Sequence, residues 1–175
     1  NLILLTFLSA LINCFASKTP NIILILADDM GPGEPSHMGG LVPTPALDRM
    51  AKEGMRFTDA HTTSSVCTPT RYGILTGRYN WRSRLKRGVL VKASSQALMD
   101  PNRINLPNFL QQNGYHTGMV GKWHLGADWE LLEKPLAGPD RKDDSWRVDY
   151  SKPFRNGPVD VGFDEAFFIL SSLDM

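Results

Sequence analysis

Residues 22–29 read Ile-Ile-Leu-Ile-Leu-Ala-Asp-Asp, a short apolar run that ends in two carboxylates. Several of its residues are β-branched, and the run does not alternate with polar residues, so both of its faces are apolar. A strand of this kind is typical of the centre of a parallel sheet that helices cover on both sides. Residues 22–27 are therefore predicted to form a buried strand, with Asp28 and Asp29 beyond its carboxyl end.

The flanking sequence alternates between strand and helix patterns. Pro near the first helical turn and Gly just past the end mark the predicted helices, and Thr44 is a candidate cap for the first of them. This order predicts an α/β fold, with a mostly parallel sheet and helices on both faces. The predicted helices are 45–53, 70–76 and 106–113; the further strands are 55–59, 116–121 and 163–170; residues 128–158 are predicted to be a surface excursion.

Composition places the chain among ordinary soluble globular proteins. Its 175 residues are 42% hydrophobic and 21% charged, which excludes collagen, a disordered tail and a polytopic membrane protein. Its 19 basic and 18 acidic residues give a net charge of +1, so no nucleic-acid partner is expected. The local basic run from Arg78 to Arg87, with aromatics nearby, is predicted to be a solvated surface.

The first 16 residues are almost wholly apolar and end in small residues. They are fewer than the roughly 20 that a spanning helix needs, so we expect a secretory signal peptide cleaved near Ala16 and no stable membrane span. The missing Met and basic segment indicate an incomplete 5′ end, and a hydrophobic first helix is the alternative. Once Cys14 is removed with the signal peptide, Cys67 is the only cysteine, which suggests a special role for its sulfur.

Residues with reactive or metal-binding side chains follow several of the predicted elements. They lie at the carboxyl ends of the strands, the sheet edge where sites form in α/β folds. Asp28 and Asp29 offer oxygen ligands that suit Ca²⁺ or Mg²⁺ better than zinc, and the alternative is a pair of turn residues. Lys122 and His124 lie two apart after a later strand and can supply charge and proton transfer. The alternative for them is a loop around a half-buried Trp123.

Cys67 precedes the predicted helix 70–76, whose Pro69 suits the first helical position. Unpaired backbone N–H groups and Arg71, one turn on, favour an anion there, so an ordinary thiolate nucleophile is one reading. A cysteine-phosphatase loop would need Arg where Gly73 stands, which excludes that class. A zinc site formed by Cys67 and His61 is also excluded, because the partners and the spacing are wrong for zinc.

Together these residues resemble the sulfatase family. Residues 67–71, Cys-Thr-Pro-Thr-Arg, match its Cys-x-Pro-x-Arg signature; residues 114–124 match its second signature; and residues 20–29 match its opening strand. Gly157-Pro158 and Gly162-Phe163-Asp164 are also similar to the family. The resemblance implies the alkaline-phosphatase-like sulfatase fold and sulfate ester hydrolysis.

In that family a separate maturation enzyme oxidises the motif cysteine to formylglycine, whose hydrated aldehyde is a geminal diol. The resemblance implies that one hydroxyl of the diol attacks the ester sulfur, the alcohol leaves, and a covalent sulfo-enzyme remains. The second hydroxyl then loses its proton, the aldehyde reforms and sulfate is expelled. A plain serine has no second hydroxyl, which explains why the nucleophile is altered.

The resemblance also assigns roles residue by residue. Asp28 and Asp29 would bind one calcium ion, with Mg²⁺ a less favoured choice, together with the modified Cys67. Arg71 would hold the diol, Lys122 would contact sulfate oxygens and His124 would hydrogen-bond the diol. These fixed charges would stabilise the negative charge of the transition state.

The family's later His, later Lys and Asp-Asn metal pair have no counterpart in this sequence. Residues 17–175 are therefore expected to be the N-terminal part of a sulfatase catalytic domain that is incomplete at its C-terminus, and the isolated chain is expected to be inactive and poorly folded. Two rivals stay open: a phosphonate or phosphate ester hydrolase, and a non-catalytic secreted binding protein. The signal peptide implies export to the periplasm, the medium or the lysosome, and the substrate could be an aryl sulfate, a sulfated sugar or a polymer.

Overall fold

The structure is a computed structural model that describes residues 19–133 and 144–172. The predicted signal peptide, residues 1–16, lies outside the described residues, and so does part of the predicted excursion, residues 134–143. The chain divides into two compact units, Asn1–Met55 and Arg56–Met175, and each is described by itself. None of the helices in the described ranges has the length and apolar content needed to cross a membrane.

The first unit contains a 3-10 turn, Ser36–Met38, and helix α1, Pro45–Glu53. The carboxylate of Asp48 joins them, because it accepts hydrogen bonds from the Ser36 hydroxyl at 2.7 Å and the His37 amide at 3.0 Å. The Ser36 hydrogen bond, followed by those of His37 and Thr44, lowers the pKa of Asp48. Thr44 is the N-cap residue as predicted, but its hydroxyl donates to the Asp48 side chain instead of capping the backbone.

The predicted strand over residues 22–27 is wrong, because these residues have no regular secondary structure and their apolar side chains are exposed. The predicted strand over 55–59 is also wrong, with Met55 and Phe57 exposed. A strand needs a neighbour to complete its ladder of backbone hydrogen bonds. In the described part of the first unit there is no second strand to supply that ladder.

The second unit is built on helices α2, Cys67–Thr76, and α3, Leu106–Gln112. α2 begins one turn earlier than predicted, so Cys67 is its first residue and does not precede it. Pro69 is tolerated there because the first-turn N–H groups have no intrahelical partner in any case. α3 agrees with its prediction to within one residue. The side-chain oxygen of Asn105 caps it by accepting from the Asn108 amide at 3.1 Å.

Within the described residues, two parallel strands form a sheet: β1, Gly118–Lys122, and β2, Glu165–Ile169, with Gly118 opposite Glu165 and Lys122 opposite Ile169. Both were predicted, with bounds shifted by a few residues. The predicted α/β class, with a parallel sheet and helices, is confirmed. The buried core packs against β1 and α2 and consists of Tyr72, Leu98, Met99, Trp123, Leu125 and Val161.

The predicted excursion is anchored at both of its described ends. The backbones of Asp128 and Arg155 pair in antiparallel fashion at 2.7 and 3.0 Å, and Leu131 pairs with Val148. The carboxylate of Asp144 is buried and accepts from the backbone and hydroxyl of Ser94. The two backbone pairings hold the described ends of this segment together, and the Asp144 contact joins the segment to Ser94 elsewhere in the second unit.

Candidate active site

Helix α2 places Cys67 at its first position, directly after the extended N-cap residue Val66. The thiol is not in a disulfide, and the residue is half-buried. The first backbone N–H groups of a ten-residue helix carry partial positive charge and have no intrahelical acceptor. Cys67 therefore lies where a negatively charged oxygen is electrostatically favoured.

Arg71 lies one turn further along α2 and connects this helix to the end of β1. Its Nη1 donates a hydrogen bond to the backbone carbonyl of Lys122, the last residue of β1. The contact orients the guanidinium. This planar group presents paired N–H donors that can bind the oxygens of an anion. The hydrogen bond also brings two of the predicted site residues into direct contact.

His124 is fixed by its backbone and by its ring. The sheet ladder continues past β1, with the amide of His124 donating to the carbonyl of Leu170 at 2.9 Å. The backbone then turns into the left-handed region, with φ of 52° at His124. Non-glycine residues in this region cost free energy and cluster at functional sites. The residue is buried, at 2% exposure.

The backbone of Leu90 connects His124 to α2. Nε2 of His124 lies 2.8 Å from the Leu90 carbonyl, and the Leu90 amide donates to the hydroxyl of Thr68 at 3.3 Å. A carbonyl can only accept, so Nε2 carries the hydrogen. Thr68 follows Cys67 directly, so these two bonds hold the imidazole in a set relation to the start of α2.

Two hydrogen-bonded links therefore connect α2 with the end of β1 inside the second unit, one from Arg71 to the Lys122 carbonyl and one from Thr68 through Leu90 to His124. Cys67 lies on α2 beside these links. Thr68 and Leu90 were missed by the sequence analysis. Thr68 occupies a variable position of the motif, and Leu90 acts through its backbone, so neither gives a residue-type signal.

Asp28 and Asp29 belong to the first unit, where both are exposed at a bend that follows the apolar run. The backbone of Asp29 is left-handed, with φ of 59°. Their carboxylates have the donor chemistry that calcium prefers. In residues 19–133 and 144–172, however, no three His, Cys, Asp or Glu side chains gather in a set that could hold a metal ion. Two carboxylates fall short of the six to eight oxygens that calcium takes.

Comparison with known proteins places these residues in a family. Residues 20–165 match the sequence profile of the family described as Sulfatase. The chain is 36% identical over 159 residues to the N-acetylgalactosamine-6-O-sulfatase of Bacteroides thetaiotaomicron, covering 90% of this chain and 28% of that protein. It is 44% identical over 118 residues to human arylsulfatase G, covering 65% of this chain and 22% of that protein.

A solved sulfatase structure, from work on glycosaminoglycan metabolism by Bacteroides thetaiotaomicron, superimposes with a TM-score of 0.74 at 36% identity. That alignment covers 90% of this chain and 30% of the solved one. The chain thus spans less than a third of the length of these relatives. With Cys67 and Arg71 on α2 and Lys122 and His124 at the end of β1 all inside the matched region, the chain belongs to the sulfatase family.

Proposed function

We propose that the polypeptide carrying these residues hydrolyses sulfate esters, with the side chain of Cys67, converted to formylglycine, as the nucleophile. The observation that carries the proposal is the position of Cys67 at the start of α2, bonded through Thr68 and Leu90 to His124. Family membership supports the same activity, because the relatives are named sulfatases. The aldehyde supplies, once hydrated, two hydroxyls on one carbon, which permits attack by one and release of sulfate by the other.

Arg71 and Lys122 provide positive charge for the anionic ester. The guanidinium of Arg71 is oriented by the Lys122 carbonyl, so little reorganisation is needed when negative charge develops on the substrate. The N-terminus of α2 adds partial positive charge at the same point. We assign to these groups the binding of sulfate oxygens and the stabilisation of the transition state.

His124 is assigned to the nucleophile itself. Because Nε2 donates to the Leu90 carbonyl, Nδ1 is the nitrogen that can accept a proton from a hydroxyl on residue 67 or return one to it. The hydrogen bond to the Leu90 carbonyl holds the ring in this orientation. A histidine held in one tautomer is a suitable general base near neutral pH.

We also propose that Asp28 and Asp29 supply carboxylate oxygens to a calcium ion, with the further ligands supplied by other groups. Calcium, when bound, supplies charge that stabilises an anionic nucleophile and substrate. The support is the donor chemistry of two adjacent carboxylates and their place in the matched family region. The role of Cys67 as a third ligand stays a prediction.

Export and maturation follow from the same proposal. A formylglycine requires a maturation enzyme that acts on Cys67 and its motif, and in the family this occurs during secretion. The apolar residues 1–16 are proposed as the signal that directs the chain to that pathway, and thus to the periplasm, the medium or the lysosome.

Mass spectrometry of the peptide that spans Val66 to Arg71, taken from exported protein, tests the proposal. We expect a mass that matches replacement of the CH₂–SH group by an aldehyde or its hydrate. Cys67→Ala should abolish hydrolysis of an aryl sulfate, and Cys67→Ser should do the same while it retains one hydroxyl.

An unmodified thiol in exported protein would contradict the proposal and favour a non-catalytic binding protein. Turnover by Cys67→Ala would instead contradict the assignment of Cys67 as the nucleophile. The remaining rival is a phosphonate or phosphate ester hydrolase. It is tested by comparing the rates at which the protein cleaves an aryl sulfate and the matching aryl phosphonate ester. Faster cleavage of the phosphonate would assign the site to phosphonate or phosphate esters.

A further inference from the structure

The segment that connects α2 to Leu90, residues 77–90, concentrates positive charge on the surface. It carries five basic side chains, all exposed: Arg78, Arg82, Arg84, Lys86 and Arg87. No Asp or Glu occurs between Arg78 and Met99, although the whole chain has a net charge of only +1. The positive potential is therefore a local property of this segment, here called the basic loop.

Two aromatic rings lie within the basic loop and are half exposed, Tyr79 at 50% and Trp81 at 49%. They stack on each other with centroids 5.3 Å apart and ring planes 10° from parallel. The guanidinium carbon of Arg82 lies 5.2 Å from the Trp81 ring centroid. Exposed aromatic rings beside cations are typical of binding surfaces, because water hydrates such rings poorly.

Internal hydrogen bonds hold the backbone of the basic loop. Asn80 is buried and donates from its side chain to the Leu85 carbonyl at 2.9 Å, and the Ser83 hydroxyl donates to the Asn80 carbonyl at 2.6 Å. Lys86 donates from Nζ to the Trp81 carbonyl at 2.9 Å. A loop that is ordered before binding loses less conformational entropy when a ligand arrives.

Both ends of the basic loop are attached to elements that carry the candidate active site. It begins at Gly77, at the end of α2, and a ten-residue helix places Cys67 about 15 Å away. It ends at Leu90, whose backbone bonds to both Thr68 and His124. A long ligand seated on the basic loop would therefore run beside residue 67.

We propose that the basic loop binds the flanking sulfate groups of a sulfated polysaccharide, one ester of which is presented at residue 67. The inference rests on the proposed function, since it takes the site to act on sulfate esters. Guanidinium groups recognise sulfate oxygens by paired N–H donors, and the Tyr79–Trp81 pair offers an apolar face to sugar rings. The substrate class is therefore a sulfated polymer, not a small aryl sulfate.

Single-stranded nucleic acid is the competing polyanion for a basic surface with aromatics. Nucleic-acid surfaces offer separate ring faces on which successive bases stack. Here the two rings stack on each other and Trp81 also lies under Arg82, so the pair offers no row of separate faces for successive bases. Sulfate recognition by guanidinium groups needs no such row, which favours the sulfated glycan.

Binding by the full polypeptide that carries these residues tests the proposal, with Cys67→Ala in every sample so that no ligand is consumed. The probes are heparin, fully desulfated heparin and a single-stranded oligonucleotide at the same ionic strength. We expect heparin to bind and desulfated heparin not to bind. Arg82→Gln combined with Arg87→Gln should weaken heparin binding by about three- to tenfold and reduce its dependence on salt.

Arg103→Gln combined with Lys152→Gln is the matched control, because it also removes two exposed positive charges, both outside the basic loop, and it should leave heparin binding nearly unchanged. Trp81→Ala should weaken binding without a change in salt dependence. Equal binding of heparin and desulfated heparin, or equal binding by the basic-loop variant and its control, would overturn the proposal. Tighter binding of the oligonucleotide would also overturn it and assign the surface to nucleic acid.

Failure of this inference can be distinguished from failure of the proposed function. Failure of the proposed function appears as an unmodified thiol at Cys67 and absence of turnover. Failure of the present inference appears as a basic loop that does not discriminate sulfated from unsulfated polymer.

Discussion

Thr68 is the residue at which the structure adds most to the motif. It is fully buried, and its hydroxyl accepts a hydrogen bond from the backbone amide of Leu90. The backbone carbonyl of Leu90 in turn accepts a hydrogen bond from the His124 ring. Its removal would leave a buried backbone N–H without an acceptor, which costs about 1–3 kcal/mol. Thr68 thus acts on the imidazole through Leu90 and is a positioning residue.

We expect Thr68→Val, which keeps the shape and loses the hydroxyl, to release the His124 ring from a single tautomer. The nitrogen-15 shifts of the His124 ring should show Nε2–H alone in the unaltered protein and a mixture of tautomers in the variant. A hydrogen bond of this kind contributes about 0.5–1.5 kcal/mol, so turnover of an aryl sulfate should fall about two- to tenfold.

Thr68→Ser is the control for this variant, because it keeps the hydroxyl and should preserve both the tautomer and the turnover. A loss of stability alone would leave the nitrogen-15 pattern of the folded protein unchanged. That result, or an Nδ1–H tautomer in the unaltered protein, would contradict the assigned role.

At the scale of single residues, the sequence was enough to identify the candidate site residues. It was not enough to predict the hydrogen bonds that position them. Cys67, Arg71, Lys122 and His124 have distinctive side chains at fixed spacings, so a motif finds them. The bonds that join them use the backbone carbonyls of Lys122 and Leu90. Any residue type can offer a carbonyl, so the sequence carries no sign of these contacts.

Among the elements, the two strands are joined at their starts by a single carboxylate. Asp164, just before β2, accepts from the backbone amide of Thr117 at 2.7 Å and from its hydroxyl at 2.9 Å. Gln111 at the end of α3 donates to the same carboxylate at 2.8 Å. The Thr117 hydrogen bonds, backbone first, lower the pKa of Asp164 below its ordinary value of 3.8.

A carboxylate whose pKa is lower in the folded state stabilises the fold above its unfolded pKa. This contribution is lost as the pH falls below 3.8 and through the lower folded value. We expect Asp164→Asn to reduce hydrogen-exchange protection of the Thr117 amide at neutral pH. The difference from the unaltered protein should shrink as the pH falls below 3.8 and disappear below the lower pKa of folded Asp164, where both side chains are neutral.

Asp149→Asn provides the comparison for that experiment. The pKa of Asp149 is also lowered, first by the Ser151 hydroxyl, but within an exposed local turn. Asp149→Asn should leave the hydrogen-exchange protection of the Thr117 amide unchanged at every pH. A difference between Asp164→Asn and the unaltered protein that stays constant through acid pH would show that the ionised carboxylate is not what holds the strands.

The helices were more predictable than the strands for a physical reason. Helix α3 is marked by its own residues, with Pro107 in the first turn and Gly114 past the end, so its bounds were predicted to within one residue. A strand depends on a partner that is distant in sequence. Residues 22–27 have the composition of a buried strand but no ladder partner in the described part of their unit.

At the scale of the whole molecule, the two faces of the sheet differ. Neighbouring residues of β2 point in opposite directions, and Phe168 packs against the core while Phe167 is 82% exposed. Val120 on β1, opposite Phe167 in the register, is 83% exposed. Exposed apolar faces of this kind promote self-association.

We therefore expect the 175-residue chain, expressed alone, to bind a hydrophobic dye such as ANS and to self-associate. Phe167→Ala should lower the dye signal and the association while the free energy of unfolding changes little, because that side chain is already in water. Phe168→Ala, one residue along on the opposite face, should instead destabilise the fold by about 1–3 kcal/mol, since it removes a partly buried ring from the core. Chemical unfolding and light scattering on the pair separate the two effects. If Phe167→Ala destabilised the chain as much as Phe168→Ala, both faces of the sheet would be packed, and the exposed face would not explain the association.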